Sequence, residues 1–400
     1  MKNKILLISV AVMLVVGLVV GGCAKPAPAP APAEPVVIGI CMCQSGWFEA
    51  YDGPSSNAAQ LKIKEINAAG GLLGHQLKVV LEDSKSDTEQ ATLAVTKVLH
   101  EDPKLVLIPG DYDISGGAAL ALSKARVIGF APALSDARIG SIAPFVFAMC
   151  GEDHAEGFNM AGYSFQKLGA KTAYVLIDQA STYTKLVGRG FVAYFEQLGG
   201  KILGEDVFFN DDPSFASQVT RVKNLAQAPD VIAVCSWPPG GASLIRQLRA
   251  SGVQTTIMGT ATFDGDYWLD AVPGLSNFYY PAVASLFGGE SNEAKQKVLE
   301  NYIAEYGKPE MSDFFYGYSS IEAWALAVER AGTFEPQAVK EELEKFRDEK
   351  LTIGSTTFTL ELHTTTHREM MIINIENGKP TALGYFRAEG VPSMELLFPK

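Results

Sequence analysis

The sequence predicts an α/β protein with two doubly wound parallel-sheet lobes joined by a multi-strand hinge. From Val36 onward, short β-rich runs alternate with amphipathic helical runs, and this rhythm begins afresh near Ala173. About 365 residues follow a proline-rich segment that ends at Pro35, more than one compact core usually holds. Repeated strand–helix units fold as parallel sheets with right-handed crossovers, so two such series predict two lobes.

The first series begins with an apolar strand at Val36–Ile40. A helix follows, because Ala58, Leu61 and Ile66 recur at helical spacing, and two glycines at 70–71 end it. The pattern predicts further strands at 77–81, 105–108, 127–131 and 145–149, with helices at 91–99 and before residue 127.

The second series has predicted strands at 173–177, 202–209, 231–234 and 256–258, with helices near 186–195, 219–225 and 244–248. The C-terminal part predicts helices at 294–306, 314–331 and 338–346, then strands at 356–360 and 370–375. Strands after a helical block indicate that the chain returns to both lobes. We therefore expect lobe 1 to contain residues 36–151 plus 281–357, and lobe 2 to contain residues 152–280 plus 358–400.

The N-terminus has the three parts of a secretion signal. Lys2 and Lys4 are positively charged, residues 5–20 are almost wholly apolar, and small residues precede Cys23. This ending resembles the bacterial lipobox, which predicts removal of residues 1–22 and a lipid anchor on Cys23. A transmembrane helix is the alternative. Within residues 23–35, proline alternates with alanine from 26 to 33, so this segment predicts an extended tether between the lipidated cysteine and the folded body.

Composition excludes several functions. The net charge of −12, about −14 without Lys2 and Lys4, disfavours nucleic acid as a partner because such binding needs basic patches. Cys41, Cys43, Cys150 and Cys235 are in no zinc-binding pattern, and we expect free, mostly buried thiols. We expect no metal and no cofactor.

Two motifs resemble catalytic or metal-binding signatures without meeting their requirements. A G-x-G-x-x-A match at 188–193 lies inside a helical run and does not directly follow a strand, which disfavours a dinucleotide site. His363 and His367 are four residues apart, but β-branched threonines between them disfavour a helix and predict an exposed turn. There is no G-x-S-x-G motif, so the sequence indicates no catalytic residues and no enzyme.

Three sequence blocks carry a family resemblance. They are NAAGGLLG at 67–74, IGFAPALS at 128–135, and LIRQL at 244–248 with Gly252 after it. From Val36 to about Tyr385, the chain resembles the branched-chain amino-acid-binding proteins. These are type I periplasmic binding proteins, the extracytoplasmic receptors of ABC importers, whose two lobes close over a ligand. The resemblance implies ABC permease subunits in the membrane as partners.

The resemblance also implies which residues of lobe 1 bind the ligand. In the family, loops corresponding to 109–115 and 132–135 hold the ligand's carboxylate and ammonium through hydroxyls and backbone groups. Tyr112, Asp113, Ser115, Ala133 and Ser135 are the candidates here. Ser135 keeps a hydroxyl that the family usually has, whereas Tyr112 replaces a common serine.

On lobe 2, Tyr183 and Trp237 match aromatic residues that close over the ligand. Trp47 and Phe48 follow the first strand and either line the same cleft or are ordinary core or surface rings. Amino-acid binders also carry an acidic residue just after the strand that corresponds to 256–259, where this chain has threonine and alanine. Either Asp264, Asp111 or Asp113 replaces it, or the ligand lacks an amino group. Asp264 has an alternative role as a helix N-cap before residues 267–268.

The expected function is therefore capture of a small hydrophobic or branched-chain amino acid, or a related organic acid, for delivery to a permease. The aromatic residues support the hypothesis that the cleft prefers a hydrophobic or aromatic acid. One alternative is a ligand-sensing receptor for an aromatic carboxylate or amide, coupled to a signalling partner. A remote alternative is a secreted hydrolase.

Overall fold

The computed structural model describes residues 33–399. The predicted signal peptide, the lipidation site at Cys23 and most of the linker lie outside the described residues. The chain from Pro35 onward groups as one compact unit. Between residues 33 and 399, no helix has the length and apolar character needed to cross a bilayer.

Lobe 1 is built on a five-stranded sheet in which all strands are parallel, in the order β2-β1-β3-β4-β5. Its strands are β1 (Val36–Ile40), β2 (Leu77–Leu81), β3 (Leu105–Leu107), β4 (Ile128–Ala131) and β5 (Val146–Ala148). The helices between them are α1 (Glu49–Ala68), α2 (Thr88–Leu99), α3 (Tyr112–Ala125) and α4 (Ile139–Ile142). Asp87 and Asp111 cap helices α2 and α3, since their carboxylates accept backbone N–H groups of the first turn.

Lobe 2 is built on a seven-stranded sheet in the order β14-β13-β10-β9-β8-β6-β7. Its strands are β6 (Thr172–Asp178), β7 (Lys201–Phe208), β8 (Val231–Cys235), β9 (Thr256–Gly259), β10 (Phe278–Ala282), β13 (Met370–Glu376) and β14 (Lys379–Phe386). The helices are α5 (Asp153–Gln166), α6 (Thr182–Gln197), α7 (Ala216–Lys223) and α8 (Gly240–Ala250). Strands β6 to β10 are parallel to one another, whereas β13 pairs antiparallel with β10 and β14 pairs antiparallel with β13.

The C-terminal part contributes to both lobes. Helices α9 (Glu293–Tyr306), α10 (Phe314–Ala331) and α11 (Pro336–Leu343) and the hairpin β11 (Glu349–Leu351) and β12 (Gly354–Thr356) pack with lobe 1. The short helix α12 (Met394–Leu397) ends the described fold. The chain thus crosses between lobes near 149–153, after β10, and between β12 and β13. The lobe boundaries predicted from the sequence fall in or beside these three crossing segments. The boundaries remain predictions.

Bonds between two of the crossing segments form the hinge. The Ala148 and Glu152 amides donate to the His363 and Thr365 carbonyls at 2.8 and 2.9 Å. Buried Arg368 donates to the Met149 carbonyl at 2.6 Å and to the Thr356 hydroxyl at 2.9 Å. Burial lowers the pKa of Arg368, and its bonds to oxygen acceptors offset the cost of burying its charge.

Two expectations about residues 356–367 are wrong. The predicted strand at 356–360 is instead the end of hairpin strand β12 followed by irregular chain. His363 is buried, because its ring stacks on Phe147 at 4.0 Å and bonds to the Val146 carbonyl, so the expected exposed turn does not form there. Packing against lobe 1 overrides the polar local sequence at this crossing. In contrast, the four cysteines within residues 33–399 are free and buried, as predicted.

Helices α5 and α6 contact each other through glycines. A Cβ added at Gly190 would lie 2.4 Å from the His154 carbonyl oxygen, and one added at Gly157 would lie 2.2 Å from the Val187 carbonyl oxygen. The two backbones are therefore closer than side chains would permit. Of the two glycines at 188–193 that resemble a dinucleotide motif, Gly190 serves this packing inside helix α6, whereas a Cβ at Gly188 would lie 2.8 Å from the Ile177 side chain of strand β6.

We expect Gly190→Ala to lower the free energy of unfolding by about 2 kcal/mol, because the new methyl group overlaps a backbone atom that cannot rotate away. Urea denaturation followed by circular dichroism measures this change. Gly116→Ala is the matched control. It also lies inside a helix, but its added Cβ meets nothing within 4 Å, so it should be neutral or stabilising by up to ~1 kcal/mol. Equal stability of the two variants would contradict the packing argument.

Candidate functional site

A cavity lies between the two lobes, where the carboxyl ends of both parallel sheets face each other. It contains about 760 Å³ of empty space, part of it open to solvent. Loops after β1, β3 and β4 form one wall, and loops after β6, β8 and β9 form the other. Open α/β sheets bind ligands beyond the carboxyl ends of their strands. The topology therefore makes this cavity the candidate site.

A buried carboxylate fixes the loops of the lobe 1 wall. Asp52 accepts the Cys43 amide at 2.9 Å and the Gly110 amide at 3.1 Å, so it ties the loop after β1 to the loop after β3. Burial raises the pKa of Asp52 to about 7. Gly110 has no Cβ, and one would lie 2.6 Å from the Cβ of Ala133 on the next loop. The three loops of this wall are thus packed against each other.

Aromatic rings cover much of the lobe 1 wall. Phe48 stacks on Tyr51 with ring centroids 4.9 Å apart, and Trp47 packs edge-on against Phe48 at 5.2 Å. The guanidinium of Arg138 lies 4.8 Å above the Tyr112 ring and pairs with the Asp136 carboxylate. Tyr112 is therefore held in place by a residue behind it.

Glu156 of helix α5 organises the lobe 2 wall. Its Oε1 accepts the Tyr183 hydroxyl of helix α6 at 2.8 Å and the Ala261 amide, after β9, at 2.8 Å. Glu156 is only 6% exposed, and burial raises its pKa to about 7. Tyr183 reaches this carboxylate because glycines bring helices α5 and α6 close together. Trp237, whose carbonyl accepts the Asn210 side chain at 2.8 Å, completes the wall after β8.

One side chain bonds across the cavity from lobe to lobe. The Asp113 carboxylate accepts the Thr182 hydroxyl at 3.1 Å and the Thr182 amide at 3.2 Å. Asp113 is on the first turn of helix α3 in lobe 1, and Thr182 is the first residue of helix α6 in lobe 2. The negative charge lies at a helix N-terminus, where it is favoured. This contact holds the two walls together.

The cavity lining is acidic. Asp111, Asp113, Asp136, Asp153, Glu156 and Asp313 line it, and no lysine, arginine or histidine does so among residues 33–399. Burial, then repulsion from neighbouring carboxylates, raises the pKa of Asp153 and Asp313 well above the usual range. For Asp111, the same two effects raise the pKa to about 6. These acidic side chains favour a ligand that is neutral or positively charged where it touches them.

Seven of the nine residues predicted to bind ligand line the cavity: Trp47, Tyr112, Asp113, Ala133, Ser135, Tyr183 and Trp237. Ser135 donates its hydroxyl to Asp153, so its Oγ is already engaged by a neighbouring carboxylate. Ser115 is not brought into the cavity. It is fully buried in helix α3, and its hydroxyl has no hydrogen-bond partner among the described residues.

Asp264 also lies outside the cavity lining. Its Oδ2 accepts the Ser312 amide at 2.6 Å and the Ser312 hydroxyl at 2.5 Å, and burial raises its pKa to about 6. Its Oδ1 accepts the adjacent Gly265 amide at 2.8 Å. The N-cap role is wrong, because Asp264 follows a 3-10 turn and bonds to the segment before helix α10 instead. Asp264 joins lobe 2 to that segment.

The lining residues that the sequence did not suggest include Tyr51, Asp153, Glu156, Asp313 and Tyr316. Asp153 and Glu156 follow β5 directly and lie three apart in the first turn of a helix, so their position after a strand was a usable signal. Asp313 and Tyr316 have the same spacing, but helix α10 follows no strand. Only packing of helix α10 against helix α1 brings them to the cavity.

Within the described part of the chain, no three His, Cys, Asp or Glu side chains converge to hold a metal ion.

Comparisons with known proteins agree with this architecture. An "Amino acid binding protein" of Pseudomonas aeruginosa is 25% identical over 311 residues, 76% of this chain and 81% of the relative. The Leu/Ile/Val-binding protein BraC3 of Rhizobium johnstonii is 25% identical over 338 residues, 81% of this chain and 87% of the relative. These relatives confirm the family resemblance predicted from the sequence.

Among solved structures, the branched-chain amino acid transporter substrate binding protein LivJ from Streptococcus pneumoniae, in complex with isoleucine, has a TM-score of 0.77. It is 25% identical, and the match covers 88% of this chain and 99% of that chain. The predicted fold class is confirmed. A family model described as "Periplasmic binding protein" matches residues 35–380. Since that match spans both lobes and the cavity between them, this chain belongs to the type I periplasmic binding proteins and is a binding protein, not an enzyme.

Proposed function

We propose that this protein is the extracytoplasmic receptor of an ABC importer, which captures a small organic solute between its lobes and delivers it to a permease. The observation that carries this proposal is the cavity enclosed by both lobes, since binding there couples occupancy to closure. Pockets of 300–1,000 Å³ suit small organic molecules. The walls combine aromatic rings with carboxylates, which favours a solute with an apolar body and an amino group. The branched-chain amino acids belong to that class.

Closure of the two lobes is the change that a permease would recognise. Asp113 and Thr182 meet across the cavity, so a ligand that fills the cavity favours the arrangement in which these residues touch. Asp264 and Ser312 form a second bond between the lobe 2 sheet and the segment before helix α10. A ligand shifts the open–closed equilibrium by as much as it prefers one state. We propose that the closed form docks on the permease.

We also propose that Cys23 carries the lipid anchor and that residues 24–35 tether the receptor near its permease. Acyl chains bind a bilayer additively, at about 0.8 kcal/mol per buried methylene, so more than one chain gives stable attachment. A proline-rich tether is extended and leaves the folded body free to close and dock. The anchor would thus keep the receptor at the membrane, while the cavity captures the solute.

The proposed function is tested by releasing any bound molecule with denaturant, identifying it by mass spectrometry, and titrating it back by calorimetry. We expect one ligand per chain, released unchanged after prolonged incubation. Binding of no small molecule, or conversion of the ligand, would contradict a receptor function.

Trp237→Ala should weaken binding of that ligand about tenfold or more, because large aromatic residues in enclosed sites contribute on the order of 2 kcal/mol. The free energy of unfolding should change little, since the Trp237 ring lies in the cavity wall rather than in a core cluster. Calorimetry and urea denaturation measure the two quantities. Phe209→Ala is the control, because this ring is 53% exposed and does not line the cavity. Unchanged affinity in Trp237→Ala would remove this residue from the site.

Asp113→Ala should lower ligand affinity by about tenfold, because it removes charge-assisted bonds worth roughly 1.5 kcal/mol from the closed form. Small-angle X-ray scattering of the ligand-free protein should show a larger radius of gyration. Asp206→Ala is the matched control, since it breaks an ion pair to Arg221 within lobe 2 and changes the net charge equally. If both variants behave alike, the cross-lobe bond does not stabilise closure.

Cys23→Ala should abolish labelling of the protein by an alkyne fatty acid in a bacterial host and release it from the membrane fraction, because the acylated thiol is missing. Cys41→Ala should keep the label, as Cys41 is buried within lobe 1. Labelling that persists in Cys23→Ala would place the lipid elsewhere or rule it out.

A further inference from the structure

The charges of the cavity wall are unbalanced. Of its six carboxylates, Asp136 is paired with Arg138, whereas the other five form no ion pair among residues 33–399. Glu156 and Asp153 are at most 6% exposed. Carboxyl groups removed from water and close to each other are costly to ionise unless a positive charge compensates them, which is why the pKa values of Asp153, Glu156 and Asp313 are raised. No lysine, arginine or histidine of the described residues supplies that charge in the wall.

The backbone donors at two helix N-termini beside the cavity, which would suit an anionic ligand, are already used. At the N-terminus of helix α3, the Ile114 amide donates to Asp111 at 3.1 Å. At the N-terminus of helix α6, the Thr182 amide donates to Asp113, and the Tyr183 amide donates to the Ser181 hydroxyl at 3.1 Å. Helix N-termini are ordinary binding sites for carboxylates. Here the protein's own side chains fill both of them.

The cavity retains acceptors instead. Both hydrogen bonds to Glu156 end on Oε1, and Oε2 accepts none from the described residues. Oε2 is also not among the enclosed polar atoms that lack a partner, so it is reachable from the cavity that Glu156 lines. The Asp313 side chain lines the same cavity and accepts no hydrogen bond from the described residues. These oxygens are available to a donor on the ligand.

The rest of the wall suits an organic cation better than a metal ion. Tyr51, Tyr112, Tyr183, Trp237 and Tyr316 surround the acceptors with aromatic surface. Aromatic faces attract ammonium groups and pack against an apolar body. A divalent cation would need several converging oxygen ligands, and no such group of acidic side chains occurs in the described range.

We propose that the ligand is a small organic cation, a protonated or quaternary amine with an apolar body and no free carboxylate, whose positive group lies between Glu156 and Asp313. This proposal rests on the proposed function and narrows its ligand class. A zwitterionic amino acid satisfies the same acceptors, but its carboxylate would face the remaining acidic side chains. The N-termini of helices α3 and α6 are occupied, which leaves the amides of Ala133 and Ser135, neither of which has a partner among the described residues, as donors for it. The site therefore selects net positive charge.

The test compares sets of molecules with one body and different charge, by thermal shift and then calorimetry with the full mature protein. Each set contains an amine, the matching amino acid and the matching carboxylate, such as isoamylamine, leucine and isocaproate, or phenethylamine, phenylalanine and phenylpropionate. Further sets vary the length of the body, and a trimethylammonium analogue in each set separates protonated from quaternary amines. We expect binders among the cations, at least tenfold tighter than the amino acid of the same set, and no binding of the carboxylate.

Two variants test which residues hold the charge. Glu156→Gln keeps an oxygen that can accept from Tyr183 and Ala261, so it removes the charge and preserves the wall. Asp313→Asn removes the second charge with no hydrogen bond to lose. Each should weaken the cation at least tenfold, and binding of the neutral amide of the same body should be unchanged or tighter. Glu300→Gln is the control, because its side chain is 71% exposed on helix α9.

The outcomes separate the two proposals. Tight binding of an amino acid or carboxylate, with weaker binding of its amine, overturns the cation proposal and leaves the receptor function intact. Binding of no molecule in any set overturns the cation proposal, whereas the receptor function is decided by the released ligand. Cation binding that survives in both Glu156→Gln and Asp313→Asn removes these residues from the subsite and overturns the placement that we propose.

Discussion

The site depends on a single shared oxygen. Oε1 of Glu156 accepts a hydroxyl from helix α6 and an amide from the loop after β9, so one carboxylate joins three elements of lobe 2. The bonds form because Gly157 and Gly190 let the backbones of helices α5 and α6 touch. Burial strengthens these charge-assisted bonds and also makes the charge costly. The same group therefore shapes the cavity wall and gives it an acceptor for a ligand.

The two lobes are held together by contacts of different strength. At the hinge, buried Arg368 and paired backbone groups tie the crossing segments together in a low-dielectric setting. Across the cavity, Asp113 meets Thr182 at a partly exposed position where water competes for both partners. A receptor that closes over its ligand requires a stable hinge and a weak contact across the cavity. The reason is that a ligand supplies only modest free energy to shift the equilibrium between the open and closed forms.

Sequence patterns predicted most of the helices and strands, because the spacing of apolar residues reflects which side chains of an element are buried. Nine of the ten parallel strands that residues 33–399 contribute to the two sheets, all except β10, follow the alternation of apolar runs, and the loops after β3 and β4 were recognised from their residues. The missed elements are informative. Helix α5 and strand β10 were not predicted. Strand β14 lies at the sheet edge with most of its residues exposed or half-buried, and residues 357–369 take their conformation from contacts with lobe 1. Neither segment carries its own periodic signal.

The sequence by itself determined the fold class, the two-lobed plan and seven side chains of the cavity wall, because each depends on local pattern or on a short block of residues. The tertiary structure alone decided how acidic the site is. Asp153, Glu156 and Asp313 come from a crossing segment and a late helix, and only the packing of distant elements brings them into one cavity. It also decided that Asp264, an acid in almost the expected place, bonds to Ser312 instead. The charge of a site depends on all the side chains that are close in space, and their spacing along the sequence does not predict which ones these are.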